Sequence, residues 1–280
     1  MTDPGTLQRS TSATRRVAPR VWMGIVALIG YVLFAAALGN VLGGLAGEGD
    51  DLGEFALSHL VPLPVAIAVA VVFIRWAGWS GPVWRETPTF RLTPHRRWLL
   101  AIPVCALLIP LGEAFTVPWA DRAVSFVLVV ALGTLMVGLG EELVCRGILL
   151  VSLRERHGEL VTLLGTAALF ALAHVYSSIW HGLQPATVAF QVAALAMSGV
   201  TYYWIRRVTG RLWVGVLVHA FTDFVLYVGS EAGNSTEAMG ATVDTGNPVS
   251  VTAQVLLAAL AAISIVSVIR EDRRSRRRAA

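Results

Sequence analysis

The stretch AVSFVLVVALGTLMVGLGEELVCRGILLVSL, residues 123–153, decides how this chain is read. A helix needs ~20 apolar residues to cross the hydrocarbon of a bilayer, and this run supplies them. Yet it holds Glu141, Glu142 and Arg146 within about a turn and a half of helix. A charged side chain at bilayer depth costs about 3 kcal/mol on insertion scales, so intramembrane charges mark functional sites by default. Two later apolar runs carry polar groups of the same kind. One contains His174, in Phe170-Ala-Leu-Ala-His174; the other contains His219-Ala-Phe-Thr-Asp223. Carboxylates and imidazoles inside hydrophobic segments point to water or metal chemistry within the membrane.

Composition agrees with a membrane location. Of 280 residues, 55% are hydrophobic and 14% charged, which is wrong for a soluble globule and right for a polytopic membrane protein. All 22 basic residues are arginine. Their placement in loops explains the positive net charge, so no nucleic-acid partner is expected. The two cysteines, Cys105 and Cys145, lie in apolar runs and give neither a disulfide framework nor a metal spacing. They are expected to be small buried residues.

Eight apolar runs are long enough to span, at about 21–46, 56–77, 97–117, 123–153, 160–178, 187–205, 212–229 and 251–269. The expected fold is therefore all-α, a polytopic bundle of about eight transmembrane helices. Residues 1–20 read as a disordered cytoplasmic tail, 21–270 as the transmembrane domain, and 271–280 as a basic cytoplasmic tail. The first apolar run is too long for a signal-peptide core and reads as a membrane helix. Twenty of the 22 arginines fall in the two tails and in the loops after the second, fourth and sixth runs. The alternate loops hold Arg122 and acidic residues such as Asp50, Asp51 and Glu231. The positive-inside rule then places both termini in the cytoplasm, which needs an even number of crossings. The segment from Trp79 to Trp98 reads either as an interfacial element or as a plain connection.

On a helix Glu142 and Arg146 are at i and i+4 and can pair, which leaves Glu141 free for chemistry and lets Glu142 orient a histidine. His219 and Asp223 share the same spacing. Glu141, His174, His219 and Asp223 could together hold a divalent metal such as zinc. The same set could work without metal, with Glu141 as general base on water, His174 sharing the proton and His219 facing a developing oxyanion. Counted from the nearest loop arginines, the depths of Glu141, His174 and His219 differ by about 15 Å at 1.5 Å per residue. Tilt, or unwinding near Gly138 and Gly140, is expected to bring them together. The other histidines, His59, His95, His157 and His181, lie in or near loops and read as incidental, His181 the least securely because an outer loop could approach the site.

At these residues the sequence resembles the CPBP family of intramembrane proteases, which includes type II CAAX prenyl endopeptidases and Abi-like proteins. The family's EExxxR is matched by Glu141-Glu142-Leu-Val-Cys-Arg146, its FxxxH by Phe170 to His174, and its HxxxN/D by His219 to Asp223. The resemblance covers about Val130 to Leu226, within a core of about 123–229. It implies hydrolysis of a peptide bond inside a membrane cavity. Glu141 would activate water with His174. His219 and Asp223 would hold the oxyanion or contribute to a metal site, and Glu142 and Arg146 would support them. The third motif often ends in Asn. Here it ends in Asp223, which favours a metal-ligand or histidine-orienting role, because an ionised carboxylate cannot donate.

The expected partners are the lipid bilayer and a membrane-associated peptide or protein substrate. A lysine-free, arginine-rich chain suggests a GC-rich bacterial genome, hence a bacterial plasma membrane. Two other classes remain open: a non-enzymatic scaffold or immunity-type protein, and a proton- or metal-coupled transporter. The complete set of three motifs counts against the first, and the lack of a visible repeat against the second.

Overall fold

The structure, a computed structural model, describes residues 15–230 and 247–279. Eight helices are long and apolar enough to cross a membrane. They are α1 (Val21–Gly43), α2 (Asp51–Ala77), α3 (Arg97–Ala114), α4 (Val124–Arg154), α5 (Glu159–Trp180), α6 (Pro185–Thr209), α7 (Leu212–Gly229) and α8 (Pro248–Ala279). Among the described residues there is no β-strand, only one bridge between Arg85 and Arg211. The protein is an integral membrane protein with an all-α bundle, as the composition predicts.

Helix α2 shows why the bundle belongs in lipid. Leu63, Ala66, Ala70, Ile74 and Ala77 recur every three or four residues and are buried in the core. The opposite stripe, Val65, Val69, Val72 and Trp76, is exposed but equally apolar. A helix that is hydrophobic all round is stable only in a core or a membrane, and this one is half outside the core.

Several helices are locally widened. Leu33–Leu38 of α1, Ala56–Leu60 of α2 and Leu143–Leu149 of α4 are π-helical turns. In α2 the widened turn precedes Pro62, which has no N–H to continue the ladder and whose ring crowds the carbonyl four residues back. The turn in α4 begins directly after Glu142, and such π-bulges are frequent at functional sites.

α4 packs most extensively on α7, α5 on α6, and α3 on α8. The ends of these helices are locked by ion pairs between side chains. Glu86, in the connection between α2 and α3, accepts from Arg154 of α4 and Arg206 of α6, each at 2.9 Å. Glu159 of α5 meets Arg154 at 2.8 Å and accepts from the Tyr203 hydroxyl at 2.5 Å. Glu271 of α8 meets Arg207 at 3.1 Å and Arg96 at 2.9 Å. These arginines come from the loops that the positive-inside count assigns to one side. The fold gathers them at one end of the bundle, as eight alternating crossings require.

The network also changes the reading of three segments. The 79–98 connection is neither free nor merely interfacial: Trp79, Val83 and Thr89 are buried, and Glu86 N–H donates to the Gly210 carbonyl. Burial would raise the Glu86 pKa, but Arg154, Arg206 and Arg207 outweigh it and hold it down at about 2. The N-terminal segment is anchored from Arg15 onward. Arg15 bonds Glu155, Arg16 N–H donates to the Ala77 carbonyl, and Trp79 Nε1 donates to the Val17 carbonyl. The earlier part of the expected tail, residues 1–14, lies outside the described residues. The basic segment from 271 continues α8, and Asp272 caps α5 by accepting from the N–H groups of Glu159 and Leu160.

Candidate active site

Four of the six singled-out residues line one cavity of about 770 Å³ inside the bundle: Glu141, His174, His219 and Asp223. The expected depth mismatch is closed by geometry that spacing does not reveal. α4 stays α-helical through Glu142, so the chain does not unwind at Gly138 and Gly140. Gly138 instead lets α4 and α7 approach backbone to backbone. A Cβ there would lie 2.9 Å from both the Ala220 nitrogen and the Val216 oxygen. That contact brings His219 level with Glu141 and Glu142. His174 sits at a break in α5, between Glu159–Ala173 and Val175–Trp180.

Behind the cavity wall, Glu142 and Arg146 are sealed, with both side chains 0% exposed. Glu142 Oε1 accepts from Arg146 Nη1 at 2.9 Å and from His219 Nδ1 at 3.1 Å. Arg146 Nη2 donates to the Gly199 carbonyl of α6 at 3.2 Å. The Arg146 guanidinium lies over Phe170 at 4.2 Å and Tyr202 at 5.3 Å. The Arg146 carbonyl, within the π-turn, accepts from Arg206. A chain of contacts thus runs from the Glu86 clamp to the wall of the cavity.

Facing the cavity, Glu141 is 17% and His174 27% exposed. Glu141 stands between the two imidazoles, Oε1 at 3.7 Å from His174 Nε2 and Oε2 at 3.7 Å from His219 Nε2. Asp223 Oδ2 lies 3.5 Å from His219 Nε2. These are ion-pair separations, longer than hydrogen bonds. Each histidine is oriented through its other nitrogen. His174 Nδ1 is 2.9 Å from the Phe170 carbonyl and His219 Nδ1 engages Glu142. In both rings this turns Nε2 toward Glu141 and leaves it for a reacting group. His219 also stacks on Tyr202, with centroids 4.4 Å apart.

The donor types, with each imidazole held by a second partner, have the chemistry of a metal site. Among the described residues, no three His, Cys, Asp or Glu side chains are arranged to hold a metal ion.

Tyr202 and Phe170 frame the site but carry no sequence signal beyond the second motif's own Phe. Two histidines set aside as incidental line the cavity. His59 lies in the π-turn of α2, stacked on Phe55 at 4.1 Å, and is not in a loop; His181 reaches the cavity from the end of α5. His95 and His157 stay outside it and meet the backbone carbonyls of Phe90 and Leu153. Both cysteines are free and buried.

This fold and site have the makings of a membrane-embedded hydrolase: a buried polar cavity, a carboxylate facing it and oriented imidazoles. Residues 123–225 match the family model described as "Type II CAAX prenyl endopeptidase Rce1-like". The match spans all three motifs and bears out the resemblance read from them. Comparison with curated proteins and with solved structures gives no match.

Proposed function

We propose that this protein is an intramembrane endopeptidase that hydrolyses a peptide bond of a membrane-associated protein or peptide, with Glu141 as the general base. The observation that carries this reading is the division of labour between adjacent glutamates. Glu142 is sealed and bonded to Arg146 and His219, whereas Glu141 faces the cavity between His174 and His219.

The steps follow from that placement. Glu141 removes a proton from a water on the cavity side of the pair it forms with His174, within reach of both groups, which stand 3.7 Å apart without a direct bond. The water oxygen attacks the carbonyl carbon, and the carbonyl π electrons move to its oxygen. His219, doubly protonated so that its Nδ1–H stays on Glu142, turns Nε2–H toward that oxyanion. Asp223, close to the same nitrogen, orients the ring. Glu141 then returns the proton to the amide nitrogen as the oxyanion electrons re-form the carbonyl and the C–N bond breaks, releasing a carboxylic acid and an amine. These steps need only the chain's own side chains and water. The loop arginines support an orientation with both termini in the cytoplasm.

The test compares membrane-protein fragments in cells carrying wild type or Glu141→Ala at matched protein levels. Fragments present only with wild type are expected, and they identify the substrate. Identical fragment patterns under several growth conditions would overturn the reading and favour a scaffold.

A further inference from the structure

We propose that Tyr31 is a further catalytic residue, donating its hydroxyl hydrogen to the oxyanion of the tetrahedral intermediate; this rests on the proteolysis proposed above. Tyr31 belongs to α1, outside the family match, and lines the same cavity as Glu141 and Asp223. It is 7% exposed, and its hydroxyl is buried with no hydrogen-bond partner. Leaving a buried hydroxyl unsatisfied costs about 1–3 kcal/mol, and such groups call for an explanation. Its position is specific. The hydroxyl oxygen lies 2.6 Å from where a Cβ on residue 140 would stand, so Gly140 is what allows the phenol to rest against α4, one residue before Glu141.

The chemistry of the site needs such a group. Glu141, Glu142 and Asp223 accept hydrogen bonds when ionised and cannot donate. Glu142 is in any case closed off from the cavity. His174 Nδ1 is engaged by the Phe170 carbonyl, and its Nε2 faces the water beside Glu141. That leaves the Nε2–H of a doubly protonated His219 as one donor for a developing oxyanion, with Asp223 alongside it unable to act as a second. The phenol keeps its proton throughout and forms its bond only when substrate supplies the acceptor. An interaction made in the transition state and absent from the resting protein raises kcat without tightening substrate binding.

The experiment uses full-length protein in lipid nanodiscs and a quenched fluorogenic peptide taken from the site mapped by the Glu141→Ala comparison. Tyr31→Phe is expected to lower kcat about 100-fold with KM little changed. Its thermal midpoint should be unchanged or raised, because an unsatisfied hydroxyl has been removed. A kcat within about threefold of wild type, with Glu141→Ala inactive, overturns the role of Tyr31 and leaves the protease reading standing. Cleavage undiminished in Glu141→Ala overturns both. If Tyr31→Phe does not fold, fluorinated tyrosines at position 31 keep the shape and change the acidity of the hydroxyl. A kcat that tracks that acidity supports donation, and a constant kcat overturns it.

Discussion

Glu142 Oε1 accepts from His219 Nδ1 at 3.1 Å, joining residues 77 positions apart in the chain. The same oxygen accepts from Arg146, so a single carboxylate oxygen orients the histidine and neutralises the arginine.

Removing one member of this sealed pair leaves a buried charge uncompensated. Arg146→Ala is expected to destabilise the protein by about 3–5 kcal/mol. Replacing both partners, Glu142→Leu with Arg146→Leu, is expected to recover much of that stability, because no lone charge remains. Activity should stay lost in the double variant, since His219 no longer has its carboxylate. Thermal unfolding in nanodiscs, read beside turnover, separates the two effects.

Glu141 meets both histidines at 3.7 Å, and its Oε2 has no hydrogen-bond partner. Glu141→Gln is therefore expected to keep the wild-type thermal midpoint. Its turnover should fall by at least about 100-fold, the low end for loss of a general base. A matched loss of stability would mean that Glu141 is a packing group.

The mechanism proposed above uses only side chains and water, so dialysis against a strong chelator is expected to leave the cleavage rate within about twofold, well short of the factor expected for losing a catalytic group. Loss of activity restored by zinc would show that Glu141, His174, His219 and Asp223 rearrange into a metal site.

The Glu86 clamp predicts acid sensitivity. Burial opposes ionisation, but the three arginines hold the folded pKa at about 2, against an ordinary value of 4.5. A depressed carboxylate contributes stability that is present above pH 4.5 and is lost as pH falls from there toward 2. The full contribution is about 3 kcal/mol by linkage. Glu86→Gln should lower the thermal midpoint at pH 7, and the two proteins should converge as pH drops below about 4. Parallel curves would show that Glu86 is not linked to folding.

The sequence by itself determined the number of crossings, the all-α class and the residues of the candidate site. Length and apolarity suffice for spans, because lipid allows little but helix. Charge inside a span is costly enough that Glu141, Glu142, Arg146, His174, His219 and Asp223 stand out without any structure. The i,i+4 spacing also announced the Glu142–Arg146 pair. Tertiary structure alone decided which groups meet. Gly138 sets α4 against α7 and so brings His219 to Glu142, and the break in α5 presents His174. Tyr31 and Tyr202 are ordinary aromatic residues of apolar runs until packing aims them at the cavity. Glu86 and the arginines at the helix ends look like loop charges until the connection folds beneath them. Local chemistry is written along the chain, whereas which side chains share a wall depends on close approaches between helices far apart in it.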